Sequence, residues 1–258
     1  MKDVNKKVKE AEARAEPIDY LTFVSDGEPT LDIHLGEVIE LLKEIGIRIA
    51  IITNASLISR KDVRDDLRGA DWVSVKVDTV SNEIWRRLNR PRMSLKLDEI
   101  LTGILEFSRT LQGDLSTETM VIKDINNMPG ELEKIADFIA KVNPKKSYIS
   151  IPTRPPAEKW VQSVSEYALA VAYHIFSERH IDVECLIGYE GNAFAYTGNV
   201  EEDLLSITSV HPMRKDAVKE YLAKANADWE VVEKLIREKN LIEVTYKESK
   251  FYTRRFRA

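Results

Sequence analysis

The 258-residue chain carries 38 Lys and Arg against 43 Asp and Glu, a formal charge of −5, and a single cysteine. The mild negative charge gives no global electrostatic case for nucleic acid, and one cysteine excludes an internal disulfide framework and suits a reducing, cytoplasmic setting. No run is long and apolar enough to span a membrane, and the charged start Met1-Lys2-Asp3 is not that of a signal peptide.

In chain order, the pattern predicts a helix over residues 3–15, then a short buried strand, Tyr20-Leu-Thr-Phe-Val24, tipped by Ser25-Asp26-Gly27-Glu28-Pro29. Gly27 opens backbone angles closed to other residues and Pro29 fixes the exit, so the strand delivers a carboxylate to a turn. An amphipathic helix follows over 35–45. The same grammar of apolar strand, polar tip and helix then repeats. Strands are expected at 48–56 (tip Thr53, Asn54), 71–79 (Lys76 and Asp78, two apart and so on one face), 116–124, 147–156 and 182–188. Helices are expected at 60–67, 97–111, 130–142 and 164–179. Alternating strands and helices imply right-handed crossovers and a mostly parallel sheet, with ligand groups at the carboxyl ends of the strands.

The alternation stops after Gly198. Helical stripes at 201–208, 214–224 and 228–239 lead to a hairpin, Leu241–Tyr246 and Phe251–Phe256. Three helices and a hairpin are the order of a winged helix-turn-helix. The expected domains are therefore an α/β unit, 1–200, and a small winged helix-like unit, 201–258. The candidate recognition helix offers Lys234, Arg237 and Lys239 beside Glu230, Glu233 and Glu238, a mixed face and not the basic stripe that phosphates want. Nucleic-acid binding through 201–258 and a packing or partner-binding role both stay open.

The chain resembles the radical SAM superfamily, and more closely a group of iron-sulfur oxidoreductases related to the wyosine-type tRNA-modifying enzymes. The resemblance runs from about Ile18 onward. Its motifs are Val24-Ser-Asp-Gly-Glu-Pro-Thr-Leu31, Ile52-Thr-Asn-Ala-Ser56, Val75-Lys-Val-Asp-Thr79, Leu88-Asn-Arg-Pro91 and Glu118-Thr-Met-Val-Ile-Lys123. Further along come Pro152-Thr-Arg-Pro-Pro156, Gly188-Tyr-Glu-Gly-Asn192 and Ile207-Thr-Ser-Val-His-Pro-Met-Arg214. It implies an incomplete (β/α) barrel that binds S-adenosylmethionine. Ser25, Asp26, Gly27 and Glu28 would hold the cofactor's amino group, with Glu28 the acceptor of a charge-assisted hydrogen bond. Thr53 and Asn54 would lie near its carboxylate or sugar, Lys76 at the carboxylate and Asp78 at the ribose. Thr119, Lys123, Thr153 and Arg154 are further pocket groups. For Lys76, Asp78 and Lys123 a structural ion pair near the strand ends is the competing reading.

The family's reductive chemistry uses three cysteines, C-x-x-x-C-x-x-C, to hold a [4Fe–4S] cluster. This chain has only Cys185, in an expected strand, read as a small buried hydrophobe. The expectation is a first strand and cluster loop missing from the sequence, through truncation or natural shortening, and a chain inactive alone in reductive cleavage. An unpaired edge at Leu21, Phe23 and Val24 is then expected to drive self-association. A tRNA substrate follows from kinship alone. The rivals are a non-enzymatic ligand-sensing regulator with a winged helix, and an α/β enzyme using Glu28, Lys76 and Asp78 for acid–base or metal chemistry. The four histidines, His34, His174, His180 and His211, show no ligand spacing, so no dedicated metal site is expected.

Overall fold

A computed structural model describes residues 2–13, 17–24, 27–186, 194, 196, 198–210, 212–246 and 248–255. Ser25, Asp26, His211 and the Gly188-Tyr-Glu-Gly-Asn192 motif lie outside the described residues. Two compact units form, Met1–Ile151 with Val161–Leu186, and Pro152–Trp160 with Ile187–Ala258. The division thus falls before residue 200, and a segment expected to extend the fifth strand joins the second unit.

The first unit runs α1 (Lys2–Ala13), β1 (Leu21–Phe23), a single 3-10 turn (Pro29–Leu31), α2 (Leu35–Lys43), β2 (Ile49–Thr53), α3 (Lys61–Leu67) and β3 (Trp72–Lys76). It continues through α4 (Asn82–Leu88), α5 (Leu97–Ser108), β4 (Asp114–Met120), α6 (Pro129–Val142), β5 (Lys146–Ser150), α7 (Glu166–Ser177) and β6 (Val183–Leu186). All six strands pair in parallel, in sequential order β1 to β6. Every crossover therefore advances in the same direction, which puts the helices on one face and curls the sheet as in a partial barrel. Register explains the burial. Ile51, Val73 and Leu115 are neighbours on the helix-covered face, as are Thr53, Val75, Thr117 and Ser147. These positions are all buried. The opposite face carries Ile52, Ser74, Ser116 and Lys146 in one rung, and Lys76, Glu118, Tyr148 and Glu184 in the next. It is largely polar, although Ser74 and Ser116 on it are buried.

Local chemistry sets several boundaries. Pro129 opens α6 at its first turn, where a missing N–H costs nothing, and Asn143 closes it in the left-handed conformation. The Ser165 hydroxyl caps α7 by accepting from the Ala168 amide at 3.2 Å. The fourth strand starts two residues before the expected place and ends at Met120, beyond which the Ile122 amide donates to the Asn126 side chain at 2.8 Å and not to a neighbouring strand. Helix α4, absent from the expectations, is only seven residues long, too short to show a period beside four charged or amide neighbours.

The second unit holds α8 (Val200–Val210), β7 (Met213–Arg214), α9 (Lys215–Lys224), α10 (Glu230–Arg237), β8 (Leu241–Tyr246) and β9 (Ser249–Arg254). The three strands form an antiparallel sheet in the order β7-β9-β8. Strand β7, two residues long, was not expected. The helices pack Leu204, Val218, Leu222, Val232 and Leu235 around Tyr221 and Tyr252. Both phenols are pushed up by burial and by the carboxylates they bond, Asp203 at 2.9 Å and Glu243 at 2.6 Å. On α10, Lys234 is paired with Glu201 at 2.6 Å, and Lys250 of the hairpin with Glu243 at 2.7 Å. No helix among the described residues is long and apolar enough to cross a membrane.

Candidate functional site

The carboxyl ends of β1, β2 and β3 converge on Glu28. Its Oε1 accepts from the Thr30 amide at 3.1 Å, the Thr30 hydroxyl at 2.8 Å and the Thr53 hydroxyl. Its Oε2 accepts from the Asn54 amide at 2.7 Å. The carboxylate caps the 3-10 turn and is bolted to the tip of β2, so its position is fixed before any ligand arrives. The β2 tip is itself constrained. Ala55 is left-handed, with φ of 60°, and its amide donates to the Thr53 hydroxyl at 3.0 Å. A buried alanine held there is strained, and such strain gathers at ligand clamps.

Lys76 and Asp78 lie on one side of the β3 tip, as the sequence indicates. The Lys76 ammonium sits 3.6 Å from Glu118 on the neighbouring strand, and Glu118 also accepts from the Ser150 hydroxyl at 2.9 Å. Burial opposes the charge on Lys76, but the Asp78 and Glu118 carboxylates outweigh it and hold the ammonium above the ordinary lysine range. Asp78 is 5% exposed and its carboxyl is pushed up by burial, against the pull of Lys76 and of its hydrogen bonds. Its oxygens accept from the Met120 amide at 2.9 Å and the Asn89 side chain at 2.8 Å. Asp78 thus ties β4 and the end of α4 to the β3 tip.

Two recesses meet at this point. One, about 650 Å³, is lined by Glu28, Asn54, Lys76 and Asp78 and then by α4, α5 and the loop between them. The other, about 210 Å³, lies on the polar sheet face and is lined by Gly27, Glu28, Thr53, Asn54, Lys76 and Glu118. Of the expected site residues, Gly27, Glu28, Thr53, Asn54, Lys76 and Asp78 are therefore brought together. Lys123 is exposed and lines neither recess, and Thr119 is buried with its hydroxyl on the Val77 carbonyl at 2.8 Å. Thr153 and Arg154 belong to the second unit. Glu118, Asn89, Arg90 and Arg92 line or brace the recesses without having been singled out. The sequence signal was the Leu88-Asn-Arg-Pro91 motif, and for Glu118 the register that sets it opposite Lys76.

The family model for the Radical SAM superfamily matches residues 1–139. The chain belongs to that superfamily. A curated relative, the UPF0026 protein MJ1312 of Methanocaldococcus jannaschii, is 43% identical over 260 residues, covering 99% of this chain and 81% of that protein. Among solved structures, Streptococcus suis SuiB bound to S-adenosylmethionine has a similar fold, with a TM-score of 0.56 at 13% identity over 73% of this chain and 43% of that one. TYW1 with a lysine-pyruvate adduct bound gives 0.50 at 18% identity, over 67% and 53% respectively. This chain spans about half the length of those two structures, and at such identities they show the fold alone.

At the level of the superfamily, membership brings S-adenosylmethionine and a [4Fe–4S] cluster. The donor set at Glu28 and Lys76 suits the first. It does not suit the second, since no group of three His, Cys, Asp or Glu among the described residues could hold a metal ion. Cys185, in β6, is half-buried, and burial together with Glu184 pushes its thiol up, away from the thiolate a cluster needs.

Proposed function

We propose that this radical SAM-type core binds S-adenosylmethionine where the two recesses meet, its ammonium at Glu28 and its carboxylate at Lys76. The observation that carries this reading is Lys76. An ammonium has three donors, and its nearest carboxylate among the described residues, Glu118, is 3.6 Å away, beyond ordinary hydrogen-bond length. It is a held cation with donors to spare, beside a carboxylate fixed by three neighbours. Opposite charges so placed complement the zwitterionic head of an amino acid. When bound, the cofactor supplies radical chemistry in this superfamily. The chain's own residues fix its head group, with Asn54 at the rim and Asp78 bracing the strand tip behind Lys76.

Kinship of the motifs with wyosine-type enzymes makes tRNA the substrate class to try, with the second unit as a winged helix that contacts substrate or partner. Lys234 and Lys250 are paired with Glu201 and Glu243, which weakens the case for a regulator built on DNA binding.

Calorimetric titration with S-adenosylmethionine tests the site. Micromolar to sub-millimolar binding is expected, weakened about tenfold or more in Lys76→Met and in Glu28→Ala, a loss of about 1.4 kcal/mol or greater. Unchanged affinity in a Lys76→Met protein of native circular dichroism would sink the assignment, as would the absence of any binding to the parent chain.

A further inference from the structure

The larger recess holds more than an amino-acid head group needs, and its deeper wall has a different chemistry. Leu57, Trp85, Leu95, Ile100, Leu101 and Ile104 line it beyond the strand tips. Leu57, Leu95 and Leu101 are half-buried and give the recess its accessible apolar surface, while Trp85, Ile100 and Ile104 behind them are buried in the core. An apolar cleft with a few polar groups at its mouth is the usual form of a small-molecule site.

The mouth is cationic. Arg90 and Arg92, both exposed, line it with Lys76, against the carboxylates of Glu28 and Asp78. Arg86 and Arg87 in the last turn of α4 add to the same short stretch, making four arginines in residues 86–92 of a chain whose net charge is −5. Arg90 is held left-handed, with φ of 45°, just before Pro91. Met93, 92% exposed, puts apolar surface beside Arg92.

We infer that this chamber binds an anionic amphiphile, a ligand whose apolar body enters between α4 and α5 while a phosphate or carboxylate head meets Arg90 and Arg92. It adds a second ligand to the proposed cofactor site and rests on that reading's placing of the amino-acid head, because Glu28, Asn54, Lys76 and Asp78 line the same recess as Leu57, Leu95 and Leu101.

The probes are hexyl, octyl and decyl phosphate, with decanoate and AMP alongside, each titrated calorimetrically below its micellar concentration. Saturable one-to-one binding of the alkyl phosphates is expected, tightening about fourfold per buried methylene until the chamber is full. Decanoate should follow the same trend, which would leave the head group open to either anion. Arg92→Glu, a charge reversal at an exposed position, should weaken decyl phosphate about tenfold. Leu101→Trp should block decyl phosphate by filling the chamber. The inference is overturned if affinity does not depend on chain length, if AMP binds as tightly as decyl phosphate, or if Arg92→Glu has no effect. It is also overturned if S-adenosylmethionine displaces the alkyl phosphate competitively, since the chamber would then be the cofactor's own seat. Should S-adenosylmethionine fail to bind while the alkyl phosphates behave as expected, the cofactor reading falls and the chamber keeps the amphiphile as its one ligand.

Discussion

Replacing Asp78 separates its structural work from its charge. The carboxylate is buried at the β3 tip, with the Met120 amide on one oxygen and the Asn89 amide on the other. Asp78→Ala removes both acceptors and strands the Met120 N–H. Two hydrogen bonds to a charged group, offset by the relief of a buried charge, put the loss at about 2–4 kcal/mol. Asp78→Asn keeps an oxygen for Met120, and the exposed Asn89 can turn its amide to offer oxygen to the new NH₂. It should lie within about 1 kcal/mol of the parent at neutral pH. The sign of the pH dependence is the sharper test. Burial raises the Asp78 pKa in the folded state above its unfolded value of about 3.9. Its contribution to stability is therefore fully present below about pH 4 and is lost as pH rises through the folded pKa. Asparagine loses nothing in that window. The stability of Asp78→Asn relative to the parent, read from urea midpoints at constant m-value, should rise between about pH 4 and pH 8. A difference that falls with pH would mean that Lys76 and the hydrogen bonds outweigh burial, and would refute the assignment of Asp78 as a strained structural carboxylate.

Two further substitutions probe the scaffold around the site. A Cβ at Gly103 would lie 2.5 Å from the Ile58 carbonyl oxygen and 2.8 Å from the Ser59 Cα, backbone atoms that cannot swing aside. Gly103→Ala should thus cost about 1–3 kcal/mol in chemical denaturation in spite of alanine's better helix propensity; a stabilised variant would show that α5 does not pack there. Asn126, fully buried, donates to the carbonyls of Asp78 at 2.8 Å and Met120 at 2.9 Å and accepts from the Ile122 amide at 2.8 Å. Asn126→Ala should destabilise by about 3 kcal/mol and weaken S-adenosylmethionine binding by loosening the β3 tip, whereas a change under about 0.5 kcal/mol would deny it that bracing role.

Local chemistry in the sequence determined the alternation of strands and helices, the parallel sheet and the placing of Glu28, Thr53, Asn54, Lys76 and Asp78 at strand ends. Those features rest on period and on the preferences of Gly, Pro and apolar runs, which neighbours in sequence are enough to decide. The order of motifs likewise carried the family. Other features depended on groups far apart in the chain. That Glu118 faces Lys76 follows from the register of β3 on β4, and that Glu28 is clamped by Thr53 and Asn54 follows from the pairing of β1 with β2. Asp78 shows no local sign of its bond to Asn89, because that contact needs α4 to form and fold back over the strand tip. The assignment of Pro152–Trp160 to the second unit was equally invisible, since an apolar run tipped by prolines reads as the end of a strand until its contacts are known. The apolar chamber is the fullest case. Leu57, Leu95 and Leu101 each read as ordinary core residues, and only the tertiary arrangement leaves them half-buried along one recess.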